Sequence, residues 1–386
     1  MLQTVFFCRF FVYMKIVVAP DSYKGALRAG GVASAFAAGW REIRPQDAVI
    51  EFPLSDGGEG LCDALAGNGR GTVAQITVHD PLMREVSAGI GFTDDFAVLE
   101  SAGANGIELL SADELDPMLA TTFGVGEALR ELISVRRCRK IVIGIGGSAT
   151  VDGGAGMLQA LGVRFFTADG ALLPDGIGGG DLGSIAKVDA GELETILSGV
   201  DLRVACDVTN VLTGMDGAAA VFGPQKGATP EMVTVLDANL RSFAALFGED
   251  GNTPGDGAAG GLGFALRSVL GAKMCSGAEL VMDVTGFAEV LEDADLVVTG
   301  EGCSDSQSCC GKLCSAVAGA AAAAGVPVVL VSGALRGERK ALEKMFDGCF
   351  SIADFPCSLS DAIEKTEENL QSAGRNFAAL AGALKK

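Results

Sequence analysis

Short apolar runs rich in β-branched residues recur along this chain, and each ends in a polar, glycine-rich loop that leads into a helical stretch. Ile16–Ala19, Val49–Pro53 and Leu296–Thr299 are such runs. A strand that is apolar throughout is buried on both faces, which is typical of a parallel sheet covered by helices. The alternation of strands and helices therefore predicts an α/β fold.

The pattern changes in the middle of the chain. From Thr72 to Phe92 apolar and polar residues alternate on either side of a turn, which favours antiparallel strands. At 386 residues the chain is also long for a single core. We therefore predict a discontinuous α/β domain over residues 14–72 plus 284–386, with a mixed α/β domain inserted over 73–283.

Two further segments carry clear signals. Pro230–Phe247 is predicted to be a long helix, and the glycine- and aspartate-rich segment Gly248–Gly263 is predicted to be a loop. The strand Asp201–Ala205 precedes them.

The stretch Ile141–Gly156 joins a buried strand to a helical segment through several glycines. Backbone N–H groups and a helix N-terminus at one point favour an anion, and glycine lets the backbone approach a phosphate closely. The spacing is not that of a P-loop, and the stretch contains no lysine. Two interpretations stay open, a phosphate cradle at Gly146, Gly147 and Ser148 or a tight strand-to-helix turn.

Charge and cysteine content exclude several classes of protein. The net charge of −20 argues against nucleic acid or an anionic membrane surface as a partner. Eleven cysteines in a chain of this length indicate reduced thiols rather than a secreted disulfide scaffold, so we expect a cytoplasmic protein. No apolar run is long enough to span a membrane. Met14 directly precedes the first strand, so we expect residues 1–13 to be an N-terminal extension.

Five loops that follow apolar runs combine acidic or small polar residues with glycine. In open α/β sheets ligands bind outside the carboxyl ends of the strands, so these loops could converge on one crevice. Each loop alone could equally be an ordinary turn or helix cap. The five loops are Asp21–Lys24, Asp56–Glu59, Gly146–Asp152, Asp207–Asn210 and Glu301–Gln307.

These residue types suit phosphoryl transfer, which requires a metal-binding carboxylate, positive charge and backbone donors around phosphate oxygens. Asp207 or Asp305 would suffice for Mg²⁺, which keeps several of its waters. Asp21 or Asp56 could accept the proton of a substrate hydroxyl. The lysines within glycine-rich loops are Lys24, Lys226 and Lys312, and the competing interpretation of each is a solvated surface lysine.

Other chemistries have weaker support. His79 is the only histidine, and no Gly-x-Ser-x-Gly elbow accompanies it, which argues against a serine hydrolase. The cysteines between Cys303 and Cys314 lack the paired spacing of a zinc site. Neither Gly144–Gly146 nor Gly260–Gly263 completes a dinucleotide-binding fingerprint.

Taken together, the loops resemble those of the type I glycerate kinase family, from Met14 to about Gly374. The matching stretches are APDSYKG (19–25), PLSDGGEG (53–60), IGIGGSATVDGGAG (143–156), CDVTN (206–210), VFGPQKGA (221–228), GAAGGLG (257–263) and GEG-x-x-DSQS-x-x-GK (300–312).

The resemblance implies transfer of the ATP γ-phosphoryl group to D-glycerate with Mg²⁺, giving 2-phosphoglycerate. It also implies two α/β domains, one Rossmann- or flavodoxin-like, with a cleft between them. The sequence leaves the oligomeric state open, with a homodimer as one option. The loops that the resemblance selects supply the candidate residues for binding substrate and phosphate. Besides the residues discussed above, these are Ser22, Asn210, Gly300, Glu301, Gly302 and Ser306.

Two positions depart from the family pattern. Cys303 stands where arginine is usual, and Cys314 where proline is usual. The loss of an arginine that holds a carboxylate or phosphate would remove a contact worth roughly 1.5–3 kcal/mol. Cys303 motivates one alternative, a homologue that binds glycerate or nucleotide with impaired turnover. A kinase for another small hydroxy acid is a further alternative.

Overall fold

The computed structural model describes residues 13–55, 61–62, 71–305, 313–337 and 339–384. These residues divide into two compact units. The first contains the residues up to Pro53 and, apart from Leu313, those from Phe287 onward; the second contains Leu54–Gly286 and Leu313. The units in the structure divide after Pro53 and before Phe287. The sequence-based limits at residues 72 and 284 stay predictions.

The first unit is built on a five-stranded parallel sheet with the strand order β15-β13-β11-β1-β2. Strands and helices are numbered in chain order throughout. The strands of this sheet are Lys15–Val18 (β1), Ala48–Glu51 (β2), Leu296–Thr299 (β11), Val328–Ser332 (β13) and Gly348–Ser351 (β15). Two short strands, Cys303–Ser304 (β12) and Ala334–Leu335 (β14), pair separately.

Helices cover the sheet of the first unit. Gly39 and Gly374 allow the first and last helices to approach closely, because a Cβ at Gly39 would lie 1.9 Å from the carbonyl oxygen of Gln371. Phe36 and Trp40 are buried beside this contact. The helices are Ala29–Ile43 (α1), Phe287–Val290 (α10), Leu313–Ala323 (α11), Leu342–Met345 (α12), Leu359–Glu364 (α13) and Thr366–Leu384 (α14).

The second unit contains a six-stranded mixed sheet with the order β10-β9-β6-β5-β4-β3. The first three pairings from β10 to β5 are parallel, and β5-β4 and β4-β3 are antiparallel. The strands are Thr72–His79 (β3), Glu85–Phe92 (β4), Ala97–Glu100 (β5), Lys140–Gly144 (β6), Asp201–Ala205 (β9) and Lys273–Cys275 (β10), with a separate hairpin of Arg164–Phe166 (β7) and Lys187–Asp189 (β8).

The helices of the second unit surround this sheet and complete a large apolar core that includes Phe165, Phe243 and Phe264. They are Ala102–Asn105 (α2), Phe123–Arg130 (α3), Ala155–Ala160 (α4), Leu193–Leu197 (α5), Ala218–Phe222 (α6), Pro230–Leu246 (α7), Ala258–Phe264 (α8) and Gly277–Thr285 (α9). Among the described residues, no helix combines the length and apolarity needed to cross a membrane.

The predicted α/β class is confirmed, as are the antiparallel strands between residues 72 and 92. The prediction of a loop throughout Gly248–Gly263 is wrong, because Ala258–Phe264 forms α8. The cause is an unusual backbone: Ala259, Gly260 and Gly261 all have positive φ inside this short segment. A run of left-handed residues carries the glycine signature of a loop even where the chain turns helically.

Candidate active site

The strand order of the first unit reverses at β1, which pairs with β2 on one side and with β11 on the other. A reversal of this kind opens a crevice at the carboxyl ends of the two strands, where α/β proteins bind ligands. The loop after β1 carries Asp21, Ser22 and Lys24, and the loop after β11 begins with Gly300 and Glu301. Two of the loops predicted from the sequence therefore meet at this point.

Close backbone contacts hold these two loops together. The N–H of Asp21 donates to the carbonyl oxygen of Gly300 at 2.8 Å, and the N–H of Ser22 donates to the Asp21 carboxylate at 2.6 Å. A Cβ at Gly300 would lie 1.6 Å from the Val331 carbonyl oxygen, so only glycine fits there. The buried hydroxyl of Tyr23 donates to that same carbonyl.

Burial raises the pKa of Tyr23 well above its usual value, with the Cys314 thiol and Glu301 carboxylate adding to the effect. Tyr23 is therefore a neutral donor that fixes the loop. Glu301 accepts a hydrogen bond from the Ser304 hydroxyl at 2.9 Å, and Ser304 in turn contacts Ser332. Lys24 is exposed, and its backbone nitrogen would be 3.4 Å from a Cβ at Gly302.

In the second unit, β6 ends at Gly144 and leads into the segment that contains Gly146, Gly147 and Ser148. This segment is tied to the end of α2. The N–H of Ala149 donates to the Asn105 carbonyl at 2.7 Å, and the N–H of Ile107 donates to the Gly147 carbonyl at 2.8 Å. The phosphate-binding role of the three residues stays a prediction.

The helix after this segment begins later than a direct strand-to-helix turn requires, at Ala155, and its N-terminus is already occupied. The buried carboxylate of Asp152 accepts hydrogen bonds from the N–H groups of Gly154 and Gly156, both at 3.1 Å. It also accepts from the N–H and the hydroxyl of Thr122, at 2.8 and 2.7 Å. Two of the N–H groups at the start of this helix are therefore already bound to a carboxylate of the same chain.

Asp152 is fully buried, and burial raises the pKa of its carboxyl group while these hydrogen bonds oppose the rise. Sequence reasoning did not single it out as a site residue. Asp is a residue that commonly accepts from the N–H groups at the start of a helix, and its place just before Gly153-Gly154-Ala155 is the signal that could have identified it.

Lys226 is only 2% exposed, so the competing interpretation of a solvated surface lysine is wrong for this residue. Its ammonium donates to the Ser148 hydroxyl and to the Thr150 carbonyl, each at 2.7 Å. Burial lowers the pKa of Lys226 to about 7, and the Asp152 carboxylate acts in the opposite direction. Two residues predicted separately, Lys226 and Ser148, are thus in direct contact.

Two other polar side chains extend this cluster. Within the part of the chain that the structure describes, Ser101 Oγ and Asn105 Oδ1 are the buried side-chain atoms without a hydrogen-bond partner. Ser101 follows β5, and Asn105 contacts Thr150 Oγ1 through its amide nitrogen at 3.4 Å. Buried polar atoms are rarely unpaired, so the cluster has unused hydrogen-bonding capacity.

The loop after β9 carries Asp207 and Asn210. Asp207 is exposed, and its Oδ1 accepts a hydrogen bond from the N–H of Gly277 at the start of α9, at 2.9 Å. Asn210 lies within the loop, where its amide donates to the Asp216 carbonyl at 2.9 Å. Asp207 therefore has a helix-capping contact, and Asn210 stabilises its own loop.

Mg²⁺ bound beside phosphates requires only one or two carboxylates, so an exposed and anchored Asp207 fits that ion. Asp305 is half-buried at the end of a described segment. Across the described residues no group of three or more His, Cys, Asp or Glu side chains could hold a metal. Asp56, Ser306 and Lys312 lie outside the described residues.

Several known proteins are similar to this chain over nearly its whole length. Residues 16–382 match the model of the glycerate kinase family. The chain is 41% identical over 374 residues to a glycerate kinase of Bacillus subtilis (strain 168), with 95% of this chain and 97% of the relative covered. It has the same identity and coverage with the glycerate 2-kinase of Escherichia coli (strain K12).

A solved structure is equally similar. The crystal structure of a Salmonella typhimurium LT2 protein assigned as glycerate kinase 2 superposes with a TM-score of 0.85 at 41% identity, covering 97% of this chain and 100% of that one. The family match, the curated relatives and this structure agree over nearly the full length of the chain, which therefore belongs to the glycerate kinase family.

Proposed function

We propose that this protein transfers the γ-phosphoryl group of ATP to D-glycerate, giving 2-phosphoglycerate and ADP, with Mg²⁺ as the metal. Family membership supports a kinase. The observation that carries the proposal is the meeting of the Asp21–Lys24 and Gly300–Glu301 loops at the strand-order reversal of a parallel sheet. One of the relatives at 41% identity is a glycerate 2-kinase, which supports the position of transfer.

The residues of the first unit have distinct roles in this proposal. Lys24 is exposed and would neutralise phosphate charge. Asp21, held between Ser22 and Gly300, would accept the proton of the glycerate hydroxyl. The backbone at Gly300 and Gly302 would approach phosphate oxygens, because no Cβ is present there.

Within the second unit, Ser148 would donate a hydrogen bond to a substrate oxygen, and Asp207 would be the carboxylate that holds Mg²⁺. The metal, when bound, would neutralise charge on the phosphate oxygens. Asp56, Ser306, Lys312 and Asp305 remain candidates from the sequence alone, with Asp56 as the alternative base and Asp305 as the alternative metal ligand.

A coupled assay for ADP release with D-glycerate, ATP and Mg²⁺ tests the proposal. We expect glycerate-dependent turnover, and ³¹P NMR of the product should match authentic 2-phosphoglycerate rather than the 3-phospho isomer. A panel of small hydroxy acids in the same assay separates glycerate from other acceptors. Turnover no higher than the glycerate-free background would contradict the proposal.

Cys303 supports one alternative, a homologue that binds its ligands with impaired turnover. Its thiol is exposed in β12, close to the loop that carries Glu301. On this alternative, Cys303→Arg restores a charge-assisted contact of roughly 1.5–3 kcal/mol and raises kcat/KM about 10- to 100-fold. Cys357→Arg is the matched control, since Cys357 is also an exposed thiol. Efficient turnover by the unmodified protein eliminates the alternative.

A further inference from the structure

The ammonium of Lys226 lies in the interior of the second unit. Its side chain is 2% exposed, and two of its three N–H donors are directed at Ser148 Oγ and the Thr150 carbonyl. Ser148 is the more exposed of the two side chains, at 6%.

The chemistry of the Lys226–Ser148 contact fixes the direction of the serine hydroxyl. In its protonated form Lys226 has three donors and no lone pair, so Ser148 accepts from the ammonium and cannot donate back to it. The Ser148 hydrogen is therefore available to a different acceptor. A hydroxyl that accepts from a cation is also a stronger donor, because hydrogen bonds in a chain polarise one another.

We infer that Lys226 is a positioning residue that acts through Ser148, presenting the serine hydroxyl as a donor to an anionic oxygen of the substrate. This inference rests on the proposed function, which supplies two groups with such oxygens, the carboxylate of glycerate and the phosphates of ATP. Lys226 itself does not contact the ligand. Its role differs from that of Lys24, which is exposed and would neutralise charge directly.

The backbone around Ser148 is arranged to keep this geometry. Lys226 also anchors the Thr150 carbonyl, and Asn105 holds the N–H of Ala149 between the two. Gly147 has a φ of +69°, a conformation that favours glycine at the turn into Ser148. The carboxylate of Asp152 supplies the compensating negative charge in the same buried region. The backbone is thus held both before Ser148 and after it.

A double-mutant cycle tests the inference, using Ser148→Ala, Lys226→Met and the double variant. Isothermal titration calorimetry gives the dissociation constants for D-glycerate and, separately, for the Mg²⁺ complex of ATP. We expect Ser148→Ala to raise the dissociation constant of one of the two ligands about 10- to 100-fold, because a hydrogen bond to a charged group is lost. Lys226→Met should weaken binding of the same ligand. The double variant should bind that ligand no more weakly than the more affected single variant does.

The ligand that is weakened identifies the acceptor as the glycerate carboxylate or a phosphate. Lys187→Met is the control for loss of a lysine, since Lys187 is exposed. Ser148→Thr keeps the hydroxyl and should retain affinity, which a purely structural role of Ser148 would not require. Lys226→Gln, which keeps a neutral donor, replaces Lys226→Met if the latter does not fold.

Two outcomes of the cycle would overturn the inference. One is a loss of affinity in the double variant equal to the product of the two single losses, and the other is unchanged affinity in Lys226→Met. An unmodified protein that binds neither ligand would also overturn it. Turnover of the unmodified protein is a separate readout. Binding with the expected cycle but no turnover removes the proposed function and keeps the inference, whereas turnover with multiplying losses does the reverse.

Discussion

The two units build their polar loop clusters in different ways. In the first unit, Gly300 and the loop at Asp21 are held by close backbone approach and by one neutral donor, Tyr23. In the second, the segment at Ser148 is held by two buried ionisable side chains, Lys226 and Asp152. A cluster made from backbone is sensitive to added volume, whereas one made from buried charges is sensitive to charge and pH.

The largest expected effect is on the charged cluster. Asp152→Asn keeps the size of the side chain but removes the charge that compensates Lys226 and replaces an acceptor by a donor facing N–H groups. Removing one partner of a buried charged network typically costs about 3–5 kcal/mol. Chemical denaturation followed by far-ultraviolet circular dichroism measures the loss. The control is Asp94→Asn at an exposed carboxylate, and equal stability of the two variants would contradict the prediction.

The second effect is a dependence of stability on pH. The pKa of Lys226 is lowered by burial from 10.5 to about 7, so between these values the unfolded chain binds a proton that the folded protein does not. The free energy of unfolding should therefore rise with pH in this window, by roughly 1 kcal/mol per pH unit. Below pH 7 both states are protonated and the contribution is constant.

Lys226→Met removes this titration, so its unfolding free energy should show a correspondingly flatter profile from pH 7 to pH 10. The difference between the two profiles isolates Lys226 from the other groups that titrate in the same range. Parallel profiles for the two proteins would show that burial does not lower the pKa of Lys226.

The smallest effect is on the backbone cluster. Gly300→Ala places a Cβ against the Val331 carbonyl, and overpacking of this kind costs about 1–3 kcal/mol. Trp40 is the only tryptophan and is buried in the first unit, so its fluorescence reports on that unit. Gly319→Ala is the matched control, since a Cβ there meets nothing within 4 Å. Unchanged Trp40 denaturation in Gly300→Ala would argue against a close-packed loop.

Much of the fold could be predicted because its strands are short apolar runs with clear ends. Leu296–Thr299 and Asp201–Ala205 form strands with the predicted bounds. Helix α8 could not be predicted, because its stretch of positive φ at Ala259–Gly261 has the composition of a loop. Local patterns identify elements whose conformation is set locally, and α8 depends instead on packing against the segment at Thr150.

The candidate site was predicted as loops but not as contacts. Sequence reasoning selected Ser148 and Lys226 separately, yet 78 positions separate them and nothing in the local pattern pairs them. A lysine in a glycine-rich stretch is usually solvated, so its burial depends on tertiary structure. The same holds for Asp152, whose partner Thr122 lies 30 positions away.

The strand β1 has a consequence for the order in which this protein assembles during synthesis. The N–H of Lys15 bonds to Asp295, 280 positions later, and β11 then completes the side of β1 opposite to β2. Leu54–Gly286 emerges from the ribosome as one uninterrupted piece, so we expect it to fold first. The residues up to Pro53 cannot complete their sheet until β11 has been made, when more than three-quarters of the chain has been translated. A truncation just before β11 should therefore leave the N-terminal segment open to protease while the piece that follows it resists.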